Sequence, residues 1–383
     1  MKHICTFLWL LVLLLYGCDA RPQYENELPS TSDTIHTSAK TEETVSFDAP
    51  IDLGIPYFSL YAAYPLAMTP SDLIVYDRCL LVSSGDWGGN MGPIDMLCYD
   101  IVQNEWRNSG TLQDEEIAVF FVINDNLVTP GIDPRDGWEW GNLYFLQNGT
   151  WQTKRTIPNG IHCFDLAYHE GALFAAVKTS DGGLQAAVSR DMGDSFSLVP
   201  LIKDGSPVTA VDMYFDLFVI GEAVYAYCCH ELYRYNGTSF VCETSWQNKI
   251  KTKYYNTPQK LRMFRAEANI GDTLYFTTGK LYSCTNTNDV RTIDTPNGEL
   301  VYDIYMHDGG MYLLCDLKTD TGYTMTVYRY IPEGEQFVTE TAFASDIPAI
   351  SLAVDDGSYY FGMASNNYKK QNHGRIFKIE KEP

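Results

Sequence analysis

The feature that most constrains the fold of this chain is an aromatic residue that returns at nearly constant spacing. Trp106, Trp151, Phe196 and Phe240 each end a short polar stretch and are separated by 45, 45 and 44 residues, and Phe337 follows about two such intervals later. A period of about 20 to 50 residues is typical of repeat proteins in which one supersecondary unit recurs. We therefore expect the chain after residue 48 to consist of one repeated unit.

A second kind of turn recurs independently between apolar runs of alternating pattern, which indicates β-hairpins. The hairpin turns lead into seven apolar positions: Leu80, Leu127, Leu173, Val224, Leu274, Met311 and Tyr359. Four short strands in each of seven units predict an all-β fold, a seven-bladed β-propeller of four-stranded blades. The last unit lacks a fourth strand, and we expect residues 55–64 to supply it and close the ring.

Charge and cysteine content limit the partners of the chain. Lys and Arg number 27 against 49 Asp and Glu, so the formal net charge is -22. Such a charge argues against nucleic acid and against electrostatic binding to anionic lipid headgroups. The ten cysteines include no CxxC pair, so a zinc site has no support. We expect a monomer with no metal and no cofactor.

The N-terminal residues indicate export. Lys2 precedes an apolar run from Ile4 to Leu15, which is short for a transmembrane helix and suits a secretory signal. The following "LYGC" resembles the lipobox of bacterial lipoproteins, which implies lipidation of Cys18. The alternative is an ordinary cleaved signal in which Cys18 is incidental. We expect an extracytoplasmic protein held at the cell membrane by a lipid.

The chain divides into three parts by composition. Residues 1–17 form the signal peptide. Residues 18–47 are polar and nearly free of large aliphatic side chains, so they predict a flexible tether. Residues 48–383 form the propeller domain.

One hairpin turn carries a known motif. "SRDMGDSF", residues 189–196, resembles the Asp-box of BNR and sialidase-like propellers, with the pattern Ser-x-Asp-x-Gly-x-Ser/Thr-aromatic. In that family the motif is structural, so the resemblance implies a propeller hairpin and no chemistry. The Arg-Ile-Pro motif of sialidases is absent, and no sialidase catalytic residue is transferred. Whether the chain is an enzyme is left open, and a non-catalytic role is favoured.

Counting back from the hairpins indicates where a site lies. Glu116, His162, Asp212 and Arg262 are each nine residues before a hairpin position, at the start of an inner strand. We expect these ionisable side chains to surround the mouth of the central channel. The alternative is that they are solvated loop residues. If the chain is an enzyme, Glu116, His162 and Asp212 are the candidates for acid or base catalysis.

Long loops are expected on the same face. Residues 85–93, 131–142 and 365–374 belong to neighbouring units in the predicted ring. Exposed aromatic side chains beside fixed hydrogen-bonding groups suit sugar recognition. The candidate ligand-binding residues are Asp86, Trp87, Asp133, Arg135, Trp138, Trp140, His162 and Arg262. These patterns predict a cell-surface binding domain for a glycan or a protein, with a glycoside hydrolase or lyase, or a structural scaffold, as alternatives.

The anchoring hypothesis has a direct test. Cys18→Ala removes the only thiol at the lipobox-like site, so the variant is expected to leave the membrane fraction while wild-type protein stays in it. Mass spectrometry of detergent-extracted protein should show an acylated Cys18 as the first residue. A mature N-terminus beyond residue 18, or fractionation unchanged by Cys18→Ala, would contradict the hypothesis.

Overall fold

The structure, a computed structural model, describes residues 48–208, 215–250 and 264–381. These residues belong to one structural unit, Val45–Pro383. Helix in the described ranges is limited to single turns: α-helix Phe58–Tyr61 and 3-10 helices Pro65–Met68 and Trp87–Gly89. None of the helices in these ranges is long and apolar enough to cross a membrane. The all-β propeller fold with four-stranded blades is confirmed.

Five blades are separate four-stranded antiparallel sheets. Blade A contains Leu73–Tyr76, Cys79–Val82, Ile94–Asp100 and Glu105–Leu112. Blade B contains Phe121–Ile123, Asn126–Pro130, Trp140–Gln147 and Thr150–Pro158. Blade C contains Ala266–Ile270, Thr273–Thr277, Leu281–Cys284 and Val290–Ile293. Blade D contains Leu300–His307, Gly310–Lys318, Tyr323–Ile331 and Gln336–Ser345. Blade E contains Ala349–Val354, Ser358–Met363, Ile376–Glu380 and, as its outer strand, Ile51–Gly54.

The other strands form one sheet of twelve. Its first antiparallel run contains Gly160–His169, Ala172–Thr179, Leu184–Ser189 and Ser197–Lys203. Its second contains Phe215–Ile220, Ala223–Cys228, Glu231–Tyr235 and Phe240–Ser245. The remaining short strands are Ser206–Pro207, Ser84–Gly85, Asp114–Ile117 and Ile132–Pro134.

Two expectations about the ring need correction. The predicted seven separate blades are not present: the described residues contain five four-stranded blades, and the large sheet holds the rest. The physical reason is that two outer strands hydrogen-bond in parallel, pairing Leu201 with Phe240 and Ile202 with Val241. The closing strand is also not residues 55–64. Ile51–Gly54 pairs with Ile376–Glu380, and the helix Phe58–Tyr61 follows it.

Burial explains why these residues form blades. The inner strand Ala349–Val354 is buried at every position, because neighbouring blades cover both of its faces. The outer strand Glu105–Leu112 is mostly exposed or half-buried, as expected at the rim. Asn148 and Gly149 both have positive φ (51° and 75°), which is the conformation that an Asn-Gly hairpin turn requires.

The turn at residues 189–196 is stabilised by its own side chains. Asp191 accepts hydrogen bonds from the Ser195 N–H (2.9 Å) and from the hydroxyls of Ser189 (2.7 Å) and Ser195 (2.6 Å). These bonds hold the pKa of Asp191 down at about 2. Ser189 Oγ accepts from the Gly193 N–H at 2.8 Å, and Phe196 packs into an apolar cluster.

Four aspartates join one inner strand to the next; three of them are buried, and Asp72 is half-buried. In each case one carboxylate oxygen accepts the backbone N–H of the following inner strand or of the segment leading into it. The four bonds are Phe120 N–H to Asp72 (2.7 Å), Leu217 N–H to Asp165 (2.8 Å), Phe264 N–H to Asp216 (3.3 Å) and Leu352 N–H to Asp303 (2.8 Å).

The backbone around two of these aspartates, Asp165 and Asp303, is irregular in the same way. The strand register shifts between Cys163 and Asp165, and again between Val301 and Asp303, as at a β-bulge. The second carboxylate oxygen of Asp165 accepts the Leu166 N–H at 2.9 Å. A bulge leaves a strand N–H without its ladder partner, and the carboxylate replaces that partner.

Asp165 is expected to be essential for stability. It is fully buried, so Asp165→Ala leaves two buried N–H groups without acceptors and should cost about 2–4 kcal/mol in the free energy of unfolding. Asp165→Asn keeps one acceptor oxygen and should cost less. Denaturant unfolding measures the free energy of unfolding of both variants. Asp320→Ala, at an exposed turn, is the control and should stay within about 0.5 kcal/mol of wild type. A cost for Asp165→Ala as small as that of the control would show that the bridge contributes little.

Candidate functional site

A short four-stranded arrangement carries the candidate site. Ser84–Gly85, Asp114–Ile117 and Ile132–Pro134 pair in that order, and the last strand also pairs with Gly160–His169. Glu116 lies opposite both Gly85 and Ile132, and Ile132 lies opposite His162. Glu116 and His162 are therefore two strands apart, about 10 Å between backbones. A side chain at position 85 would place its Cβ 2.4 Å from the Glu115 carbonyl oxygen, so this close approach requires glycine.

Trp87 contacts both of these residues. Its backbone N–H lies 3.4 Å from Glu116 Oε2, and its ring centroid lies 4.8 Å from that of His162. Asp86 fixes the position of Trp87, because its carboxylate accepts the Gly88 N–H (2.9 Å) and the Tyr64 hydroxyl (2.8 Å). Trp87 is half-buried and joins the two predicted ionisable residues into one site.

Asp133 has an unusual backbone conformation. Its φ is +63°, and it is the only non-glycine residue with positive φ inside a strand of the described ranges. Its carboxylate lies 3.7 Å from His162 Nε2. Backbone strain of this kind costs about 1–3 kcal/mol and is concentrated at functional sites.

Arg135 supplies the positive charge beside Asp133. One guanidinium nitrogen donates to Glu115 Oε1 at 2.8 Å and to Asn90 Oδ1 at 3.2 Å. Glu115 is buried, whereas Arg135 is exposed over 39% of its side chain. The guanidinium therefore neutralises Glu115 while it stays open to solvent.

Three consecutive carboxyl groups have raised pKa values. Burial raises the pKa of Glu116 to about 8; the Asp86 charge adds to this, and the Trp87 N–H opposes it. Burial also raises the pKa of Glu115, against the effect of Arg135. The pKa of Asp114 rises to about 7, again through burial. Glu116 consequently holds a proton at neutral pH and has one to donate.

A buried polar group that the sequence did not reveal lies beside the site. Asp114 is fully buried and accepts from Asn142 Nδ2 at 2.8 Å and from the Tyr144 hydroxyl. Three acids in a row, residues 114–116, precede an inner strand, and this was the available signal. The sequence reasoning selected only Glu116 among them.

The structure places the other predicted residues as follows. Trp138 and Trp140 are 55% and 45% exposed, on or directly after the connection that follows Pro134. Asp212, Arg262 and Cys18 lie outside the described residues, so their predicted roles stay predictions. In the described ranges, no group of three or more His, Cys, Asp or Glu side chains has a geometry that could hold a metal ion.

The long loops 85–93 and 365–374 are connected through one segment. His373, in the second loop, lies 2.9 Å from the Pro65 carbonyl oxygen through Nε2. Tyr64, next to Pro65, bonds Asp86 in the first loop. Two of the three predicted loops therefore contact the same segment.

The site lies beside the central channel. That channel is a cavity of about 580 Å³, with walls formed by inner-strand residues such as Val122, Leu217 and Tyr305. Glu116 and His162 are not among the wall residues; Ala118 and Leu166 are the nearest ones along the chain. The two side chains thus belong to the short cross-blade arrangement and not to the channel itself.

Glu116 should make stability depend on pH. Its pKa is raised on folding from about 4.5 to about 8, so the unfolded state is favoured increasingly as pH rises between these values. Glu116→Gln carries no charge at this position, so its free energy of unfolding should exceed that of wild type at pH 9. The difference should be about 1.4 kcal/mol for each unit by which folding raises the pKa of Glu116. The gain should vanish near pH 4.

Denaturant unfolding at both pH values measures this effect. Glu105→Gln, at an exposed position, corrects for the loss of one surface charge. An equal difference between Glu116→Gln and wild type at both pH values would contradict the prediction.

Comparison with known proteins shows the fold alone. No protein-family model matches the chain, and no curated protein matches it. A chain in the crystal structure of the mitotic checkpoint complex is similar over 94% of this chain and 99% of its own length, with TM-score 0.50 and 8% identity. The extracellular domain of the hybrid two component system BT4673 from B. thetaiotaomicron is similar over 86% of this chain and 40% of that chain, with TM-score 0.51 and 11% identity.

Proposed function

We propose that the chain is an exported, lipid-anchored β-propeller that binds a glycan on the face holding Trp87, Trp138 and Trp140. The observation that carries the proposal is the exposure of Trp138 and Trp140, 55% and 45%, close in sequence to Asp133 and Arg135. Large exposed aromatic side chains cost free energy in water, and their grouping with fixed polar side chains marks a binding surface.

The chemistry of this surface favours a sugar over a protein ligand. The flat indole rings can stack on the apolar faces of pyranose rings. The carboxylates of Asp86 and Asp133 and the guanidinium of Arg135 are held by their own contacts, lie within a few residues of a tryptophan in sequence, and can bond hydroxyl groups. A protein ligand remains the alternative within the same class of function.

The turn at residues 189–196 supports a place among Asp-box propellers. The carboxylate of Asp191 bonds Ser189 and Ser195, and Ser189 bonds the Gly193 N–H, so the three polar side chains and the glycine of the motif act within their own hairpin. We propose that this turn is one Asp-box and that it has a structural role.

A second candidate function is a carbohydrate-active enzyme, a glycoside hydrolase or lyase. The raised pKa of Glu116, about 8, favours it, because a carboxyl group that is protonated at neutral pH can act as a general acid. In this role Glu116 protonates the leaving oxygen, while Asp133 or His162 acts as the partner base.

The binding hypothesis predicts the effect of removing the indoles. Replacing both Trp138 and Trp140 by Ala should weaken glycan binding by tenfold or more, about 1.4 kcal/mol, on a glycan array and in titration calorimetry. Phe58→Ala is the matched control, because Phe58 is an exposed aromatic residue (57%) on the helix Phe58–Tyr61.

One result would contradict the binding hypothesis, and two others would favour its alternatives. Binding of no glycan contradicts the proposal, and capture of a protein that depends on Trp138 favours the protein alternative. Turnover of a bound glycan that is lost in Glu116→Gln, with binding retained, supports the enzyme.

A further inference from the structure

We propose that the sugar unit entering the site between Trp87, Asp133 and His162 carries a free, protonated amine, as an amino sugar does. This inference rests on the proposed function, since the site is the same. It specifies the chemical class of the ligand, which the exposed tryptophans alone do not.

The charges of the site favour a cation. Asp86 and Asp133 both act electrostatically on Glu115, and Asp86 also acts on Glu116, so the four carboxyl groups share one neighbourhood. Even with Glu116 protonated, the carboxyl groups of Asp86, Glu115 and Asp133 outnumber the guanidinium of Arg135, which is already bonded to Glu115 at 2.8 Å.

The carboxylate of Asp133 has unused capacity to accept hydrogen bonds. Its side chain is only 17% exposed, and among the described residues it accepts no hydrogen bond, while the imidazole Nε2 of His162 lies 3.7 Å away. A carboxylate largely removed from water is costly unless it accepts hydrogen bonds. An ammonium group offers three N–H donors and a full positive charge.

His162 provides a second, independent indication. It is 5% exposed, contacts both Trp87 and Asp133, and its Nδ1 has no hydrogen-bond partner within the described ranges. A buried imidazole nitrogen without a partner is rare, because such groups are normally bonded. The other ring nitrogen, Nε2, lies beside the Asp133 carboxylate, so a ligand group that bonds Asp133 also meets this imidazole.

Trp87 adds attraction for the same group. An ammonium over an indole ring is attracted by the cation–π interaction, most strongly where water is excluded. Trp87 is half-buried against His162, which provides such a partly dry surface. The net charge of -22 also attracts a cationic oligosaccharide at long range and repels an anionic one.

The rival ligand is a neutral sugar. An N-acetylated or unsubstituted sugar can stack on the same indoles, but it brings no charge to Asp133. Its binding should therefore depend on Trp138 and Trp140 and not on the charge at residue 133.

The test compares three β-1,4-linked tetramers by titration calorimetry at mildly acidic pH, where the amine is protonated: glucosamine, N-acetylglucosamine and glucose. The glucosamine tetramer should bind at least tenfold more tightly, and added salt should reduce the preference. Asp133→Asn should abolish the preference. Asp133→Glu should restore part of it, and Asp136→Asn, an exposed neighbour in the same connection, should leave it unchanged.

The outcomes separate this inference from the proposed function. Equal affinity for the three tetramers, or a preference that survives in a folded Asp133→Asn variant, overturns the amine and leaves glycan binding intact. Absence of binding by all three tetramers overturns the inference and counts against the proposed function. Thermal unfolding confirms that each variant is folded before it is titrated.

Discussion

The structure depends on buried carboxylates that connect the inner strands. A carboxylate in an apolar interior is unfavourable by itself, yet Asp165 and Asp303 each accept two backbone N–H groups, one from their own strand and one from the next. These charge-assisted bonds offset the cost of desolvation and set the spacing between neighbouring inner strands. His162 lies near the start of the strand that carries Asp165, so the same bonds position one wall of the candidate site.

The sequence contained a signal for these bridges that periodicity alone did not use. An Asp followed by Leu or Ile recurs at Asp72, Asp165, Asp216 and Asp303, in each case at an inner strand or directly before it. An acid within a strongly apolar run is more informative than an apolar residue there, because burying it requires a partner. Its partner, however, lies on the following inner strand about 50 residues later, and local reasoning does not reach so far.

Turn chemistry was the part of the fold that sequence predicted well, because it is local. Asn148–Gly149 and the turn around Asp191 need no distant contact to take their shapes. The parallel pairing of Leu201 with Phe240 depends on where two sheet edges meet, and no residue type encodes it. In the site, the shared distance of nine residues from a hairpin selected Glu116 and His162, which lie two strands apart. The stacking of Trp87 and the positive φ of Asp133 depend on loop conformation, and the buried Asp114 does not fall at the offset from a hairpin that selected Glu116.

Closure of the ring by Ile51–Gly54 has a mechanical consequence. A pull on the chain ahead of this strand reaches two outer contacts in turn: that of Asp48 with blade D, and then blade E, where Ile51 pairs with Lys378. Asp48 lies in front of the strand and holds blade D through the Thr341 hydroxyl (2.6 Å) and the Ala342 carbonyl (2.9 Å). Force would break these contacts before it reached the inner strands. The outer strands of the propeller would thus yield to a pulling force before the surface that carries Trp138 and Trp140 is disturbed.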